Sequence, residues 1–129
     1  MPAFLFSLFP NVLWHGNREQ EFIYLTFDDG PTANVTDKVL SILEKHQACA
    51  TFFVLGTHAE NPKGDQLIRK ILDEGHGIAS HGHQHLDGWK TSNPTYINNI
   101  NYERVNAEHI LDSRRTHFRP PYGRLTWYQ

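Results

Sequence analysis

Apolar positions along the chain fall into two alternating patterns. "FIYLTF", Phe22 to Phe27, is an aromatic and β-branched run suited to a strand, and it ends abruptly in Asp28, Asp29, Gly30 and Pro31. Val39, Leu40, Ile42 and Leu43 then recur on one helical stripe, which predicts a helix from Asp37 to about His46 with Thr36 as its cap. Ala50 to Gly56, "ATFFVLG", has the continuous apolar character of a strand buried on both faces. A second helix is expected from Asp65 to Glu74, with Leu67, Ile68, Ile71 and Leu72 inward and Gly75 at its end. "GHGIAS" gives a third short strand. Asn93 as cap and Pro94 at the first helical position open a longer helix carrying Ile97, Ile100, Ala107, Ile110 and Leu111. A fourth strand, His117 to Pro120, leads into "PPYG". Strands alternating with helices over short links predict an α/β fold with parallel strands and right-handed crossovers, whose site lies on the loops after the strands.

Composition narrows this picture. With 129 residues, 39% hydrophobic and 20% charged, the chain suits one globular domain but is small for an α/β barrel. The expected division is an apolar extension over residues 1–20 and a domain over 21–129. A formal charge of -2 and no basic stripe argue against nucleic acid as partner. Cys49 is the single cysteine, so neither an internal disulfide nor a cysteine metal cluster can form, and within "ACATFFVL" it reads as a small core residue. "FLFSLF" near the N-terminus has no preceding Lys or Arg and no following cleavage site of small residues. It is expected to be structural, packed under the domain with Trp14, with a seat on a membrane surface or partner as the alternative, and the location is cytoplasmic or unknown. No stretch approaches the roughly 20 apolar residues of a spanning helix, so the chain is expected to be soluble. The nine histidines are the unusual feature, because imidazole is the commonest metal ligand and a frequent acid or base.

Three groups of chemically capable residues fall at the ends of strands one, three and four, which a parallel sheet brings to one rim. The first is Asp28-Asp29, although adjacent aspartates before Gly-Pro also suit a plain turn. The second is "SHGHQHLD", in which His81 and His85, four apart, can share a side. Two imidazoles and a carboxylate make a three-ligand site with open positions, as in catalytic Zn²⁺ and non-haem Fe²⁺ centres. The third is "RPPYG", which places Arg119 and Tyr122 on the same rim. His76 reads as a surface or packing residue. His83 is open between a spectator and a ligand or substrate contact, and Trp89 between a wall of a sugar groove and a loop aromatic covering the rim. Asn34-Val35-Thr36 matches a glycosylation sequon, but helix entry explains it better.

"LTFDDGP", "ATFFVLG", "HGHQH" and "FRPPYG", in this order between about Phe22 and Arg124, resemble the polysaccharide deacetylases of carbohydrate esterase family 4, also called the nodulation-protein-B homology domain. The resemblance implies the N-terminal part of a distorted (β/α) barrel, incomplete in this chain, and removal of N-acetyl or O-acetyl groups from a polymer such as peptidoglycan or chitin. It also implies a family that often acts at the cell envelope. By resemblance, Asp28 is the catalytic base, Arg119 holds it, and Asp29, His81 and His85 bind a divalent metal, most often zinc. Pro121 and Tyr122 line the substrate groove, with the Tyr122 backbone N–H at the oxyanion. The chemistry asks for the same parts: a metal to acidify water and polarise the carbonyl, and a separate carboxylate to take the proton. Two departures stand out. The family's Leu-x-His, which protonates the leaving amine, and the Asp-rich motif that orients it are absent before Gln129, and the usual Ser or Thr after the first histidine is Gly82. A fragment of a longer enzyme, a substitute acid such as His83, and an inactive or purely binding module are the corresponding alternatives.

Overall fold

The computed structural model describes residues 10–17, 19, 21–106 and 117–129. Strands β1 (Leu25–Gly30), β2 (Ala50–Val54) and β3 (Gly77–Ser80) form a parallel sheet in the order β1-β2-β3. Helix α1 (Val35–Lys45) joins the first two strands, α2 (Gly56–Ala59) and α3 (Pro62–Asp73) join the next two, and α4 (Asn93–Asn106) follows. Parallel neighbours cannot be joined by a tight turn, so each link carries a helix, as the sequence pattern predicts.

Register divides the sheet into two faces. Phe27, Phe52 and Ile78 stand side by side across the three strands. They pack with Val54 against Leu40 and Leu43 of α1 and Ile68 and Ile71 of α3, which form the core. His76 is buried here, its ring 5.9 Å from that of Phe52, and so is a packing histidine. The next row, Asp28, Phe53 and Ala79, points to the opposite face because strand side chains alternate. That face carries the chemistry.

Several elements differ from expectation. Phe22, Ile23 and Tyr24 precede β1 and are 63, 88 and 61% exposed. The strand begins only at Leu25 because β2 begins at its partner, Ala50. Cys49 is exposed rather than part of the core: Ala50 beside it turns inward, which turns Cys49 out. The fourth strand shrinks to one parallel bridge between Ser80 and Phe118, flanked by Ser80 N–H to His117 O (2.8 Å) and Arg119 N–H to Ser80 O (3.0 Å). Pro120 and Pro121 have no N–H with which to extend a ladder.

Caps also shift. Thr36 lies inside the first turn of α1, its hydroxyl accepting the Thr32 N–H at 2.9 Å, while Asn34 occupies the cap position. Helix α3 begins three residues earlier than expected, at Pro62, because Asn61 accepts the Gly64 N–H at 2.9 Å. Ser92 rather than Asn93 takes the cap position of α4, its carbonyl accepting the Tyr96 N–H at 2.9 Å. Among the described side chains of α4, Tyr96 and Asn99 are buried and Ile97 is exposed. Ala107, Ile110, Leu111 and the "FLFSLF" run lie outside the described residues, and Trp14 is exposed. Among the described residues, no helix is long and apolar enough to cross a membrane.

The core assignment gives a direct test. Ile68→Ala and Ile71→Ala each remove a fully buried side chain and should cost about 2–5 kcal/mol in urea unfolding. Ile42→Ala, on the exposed side of α1, should stay within about 0.5 kcal/mol.

Candidate active site

Adjacent residues of a regular strand point to opposite faces, so two neighbouring aspartates cannot normally serve one cavity. Strand β1 resolves this with a register shift between Asp28 and Gly30. Asp28 stays in the ladder opposite Phe53, whereas Asp29 leaves it with a left-handed φ of 68°. His58, from α2, donates from Nδ1 to the Asp29 carbonyl at 2.9 Å and holds the displaced peptide. Both carboxylates thereby line one cavity of about 380 Å³, together with His81, His85, Arg119 and Tyr122.

The histidines approach from the loop after β3. His81 is buried, and its Nδ1 lies 2.8 Å from the carbonyl of Arg119. A carbonyl only accepts, so Nδ1 carries the proton and Nε2 presents its lone pair. That Nε2 lies 3.4 Å from Asp29 Oδ1, and Nε2 of His85 lies 3.2 Å from the same oxygen. The three ligand atoms all fall within 4.8 Å of one another. Donors held at about 2.0–2.2 Å by a tetrahedral metal stand roughly 3.3 Å apart, so this donor set fits a divalent ion such as Zn²⁺. A backbone carbonyl that fixes an imidazole tautomer is the usual outer support of such a site.

Arg119 reaches the other aspartate. Its Nη1 donates to Asp28 Oδ1 at 2.6 Å and to Thr26 Oγ1 at 3.0 Å, residues two apart on the same face of β1. The guanidinium lies 3.8 Å from the centre of the Phe53 ring, the neighbour of Asp28 across the sheet. Asp28 is thus engaged by arginine and lies outside the metal-ligand group. Tyr122 has a left-handed φ of 58°, and its ring meets that of His85 edge-on at 4.5 Å. The turn's own hydrogen bonds are donated by Gly123 and Arg124, not by Tyr122.

Two other residues sit differently from the simplest expectation. Pro121 is fully buried, and Pro120 lines the cavity in its place. His83 does not line the cavity. Its ring packs on Tyr102 at 4.3 Å, and its Nδ1 lies 3.5 Å from Glu60 Oε1. The chain leaves β3 by a sharp turn at Gly82 (φ 88°), so the alternation that would have aligned His83 with its neighbours stops there.

Asn99 and His58 are the supporting residues that sequence reasoning missed. Buried on α4, Asn99 accepts the Gln84 N–H at Oδ1 (2.8 Å) and donates from Nδ2 to the Gln84 carbonyl (3.0 Å). A Cβ at Gly82 would approach Asn99 Nδ2 to 2.8 Å. The amide therefore occupies the space beside Gly82. The signal for Asn99 was a polar residue one helical turn after the inward-facing Tyr96; His58, on a four-residue helix, offered none. Asn99→Ala leaves both Gln84 main-chain groups without this partner, so Zn²⁺ affinity measured by calorimetric titration should fall about 10- to 100-fold. Unchanged affinity would show that the loop holds itself.

Fold and site define a parallel α/β protein with a two-histidine, one-carboxylate constellation at the C-terminal rim of its strands. The chain belongs to the polysaccharide deacetylase family, whose model matches residues 15–128. It is 37% identical over 107 residues to a peptidoglycan-N-acetylglucosamine deacetylase of Bacillus cereus, covering 80% of this chain and 37% of that protein. It is also 37% identical over 103 residues to a chitooligosaccharide deacetylase of Bradyrhizobium, covering 78% of this chain and 46% of the relative. The solved structure of peptidoglycan deacetylase PdaC from Bacillus subtilis matches with a TM-score of 0.75 at 33% identity, covering 87% of this chain and 55% of that one. The chain thus spans about half or less of the length of these relatives, and corresponds to part of their (β/α) barrel.

Proposed function

We propose that this chain carries the base and metal site of a hydrolase that removes N-acetyl, or O-acetyl, groups from a carbohydrate polymer such as peptidoglycan or chitin. The observation that carries this reading is the division of labour within the aspartate pair: Asp29 lies with the two imidazoles, and Asp28 lies beside them in the same cavity, held by Arg119. A metal-binding site alone has no need of the second carboxylate. The names of the relatives, which include peptidoglycan and chitooligosaccharide deacetylases, support the substrate class.

Asp29, His81 and His85 would hold the metal, with Zn²⁺ the ion best suited to two imidazoles and a carboxylate. When bound, such a metal polarises the acetyl carbonyl and lowers the pKa of a water toward about 7. Asp28 takes the proton of the attacking water. Arg119 engages its Oδ1 and so aims the second oxygen at the cavity. The Tyr122 main-chain N–H, unused by its own turn, is the donor for the developing oxyanion, the interaction type usually worth most in acyl transfer. Collapse of the tetrahedral species breaks the C–N bond, and acetate and an amine leave as Asp28, which lines the same cavity, returns to the nitrogen the proton it took from water.

One observation favours a second reading, a metal or glycan binding module without turnover. His83, the histidine within reach of sequence reasoning as a substitute acid, faces Glu60 and Tyr102 rather than the cavity. Acetate release from N-acetylglucosamine oligomers by the metal-loaded chain separates the two. Under the hydrolase reading, Asp28→Asn should keep stoichiometric metal and lose about 10² to 10⁴ in rate. Asp29→Asn should lose metal affinity itself. Retained metal in Asp29→Asn together with loss in Asp28→Asn would exchange the roles, and bound oligomer without any acetate would select the binding module.

A further inference from the structure

We propose that Trp89, backed by Arg124, is a stacking platform for a pyranose ring of the glycan chain, next along the polymer from the sugar at the metal site. This rests on reading that site as one for acetylated glycans. The indole is fixed from several sides. Its Nε1 donates to the Leu125 carbonyl at 3.1 Å, and the Trp89 main-chain N–H donates to Asp87 Oδ1 at 3.0 Å. The guanidinium of Arg124 lies 4.8 Å from the ring centre and is itself held by Asp87 at 2.6 Å. Gln129 ties the loop to the following segment by donating to the Gly88 carbonyl at 3.0 Å. The two segments are pressed so closely at Gly88 that a Cβ there would come within 2.3 Å of the Arg124 carbonyl.

A tryptophan anchored this firmly as a cover would be buried, yet Trp89 remains 66% exposed. A rigid aromatic face held open to solvent loses little entropy when a ligand settles on it, which is what a recognition surface needs. The platform is also continuous with the metal site. Arg124 lies 5.6 Å from the ring centre of Tyr122, whose other contact is the ligand His85 at 4.5 Å. The ligand chemistry follows from what the platform turns outward. Asp87 holds Arg124 at 2.6 Å against the indole, and Lys90 approaches the same carboxylate at 4.0 Å, so the exposed part of Trp89 is an apolar ring face. That suits the C–H face of an uncharged sugar better than an anionic group.

The test is calorimetric titration of the Zn²⁺-loaded chain with N-acetylglucosamine and with its β-1,4-linked tetramer. Trp89→Ala should weaken binding of the tetramer about ten-fold or more, as loss of a central aromatic anchor does, while monomer and Zn²⁺ affinities stay within about two-fold. Trp89→Phe keeps a flat ring, so it should retain most of the tetramer affinity even if the alanine variant melts early. Trp127→Ala, removing another exposed tryptophan, should change little. If wild type binds the tetramer and Trp89→Ala binds it equally well, the platform is overturned and the glycan reading stands. A Trp89→Phe variant that melts like wild type but has lost the tetramer also overturns the platform. If wild type binds no oligomer at all, both the platform and the glycan reading fall.

Discussion

The site depends on Arg119 more than on any residue that would touch the metal. Its N–H closes the single bridge to Ser80, its carbonyl fixes the tautomer of His81, and its guanidinium takes Asp28 while lying over Phe53. One residue thus sets the geometry of Asp28 and of His81 from opposite ends of its own backbone and side chain. The arrangement exists because Phe118 enters the sheet in register with Ser80, at the exit of β3. A longer fourth strand would carry no obvious advantage for this purpose. The bridge alone aligns the carbonyl with the imidazole, and the prolines that follow release the chain toward Tyr122.

The paired aspartates illustrate how a local departure from regularity creates chemistry. A left-handed conformation at a residue other than glycine costs on the order of 1–3 kcal/mol, and it persists only where surrounding structure over-determines it. Around Asp29 the supports are visible: the Gly30 carbonyl accepts the Leu55 N–H at 2.9 Å, and His58 holds the Asp29 carbonyl. Aspartate tolerates this region better than most side chains. Without the bulge, Asp29 would point toward Phe27's side of the sheet, into the hydrophobic core, where an unpaired carboxylate is strongly disfavoured.

Legibility in the sequence followed the range of the forces involved. The parallel α/β order was readable because helical stripes such as Leu40 and Leu43, and the continuous run of β2, are local patterns that packing then used. Asp28, Asp29, His81, His85 and Arg119 were readable as chemically costly residue types gathered at strand ends. What failed depended on partners distant in sequence. Phe22 to Tyr24 has strand composition but no neighbouring strand to pair with among the described residues, and Cys49 has apolar neighbours but sits where Ala50 takes the inward position. Asn61 caps α3, and Ser92 takes the cap of α4 expected of Asn93, because a cap is decided by which side chain reaches a free N–H. The exposed Phe22, Ile23 and Tyr24 adjoin β1, the outer strand of the described sheet, where apolar side chains and an open edge coincide.

The two histidines are brought beside Asp29 by an arrangement that neither helix nor strand geometry supplies. Residues 81 to 86 form a loop that continues from β3 and is itself neither helix nor strand. Gly82 turns the backbone, its carbonyl accepts the Gly56 N–H at 3.0 Å, and the His83 carbonyl accepts the Thr57 N–H at 3.0 Å. The first turn of α2 therefore grips the loop from one side while Asn99 grips Gln84 from the other. Between these anchors His83 turns toward Tyr102, and His85 is returned to the rim opposite Asp29. The placement of His81 and His85 beside Asp29 is consequently a property of several elements converging on a short irregular loop. A substitution at Asn99 or Gly82 acts on the same geometry as one at the two histidines themselves.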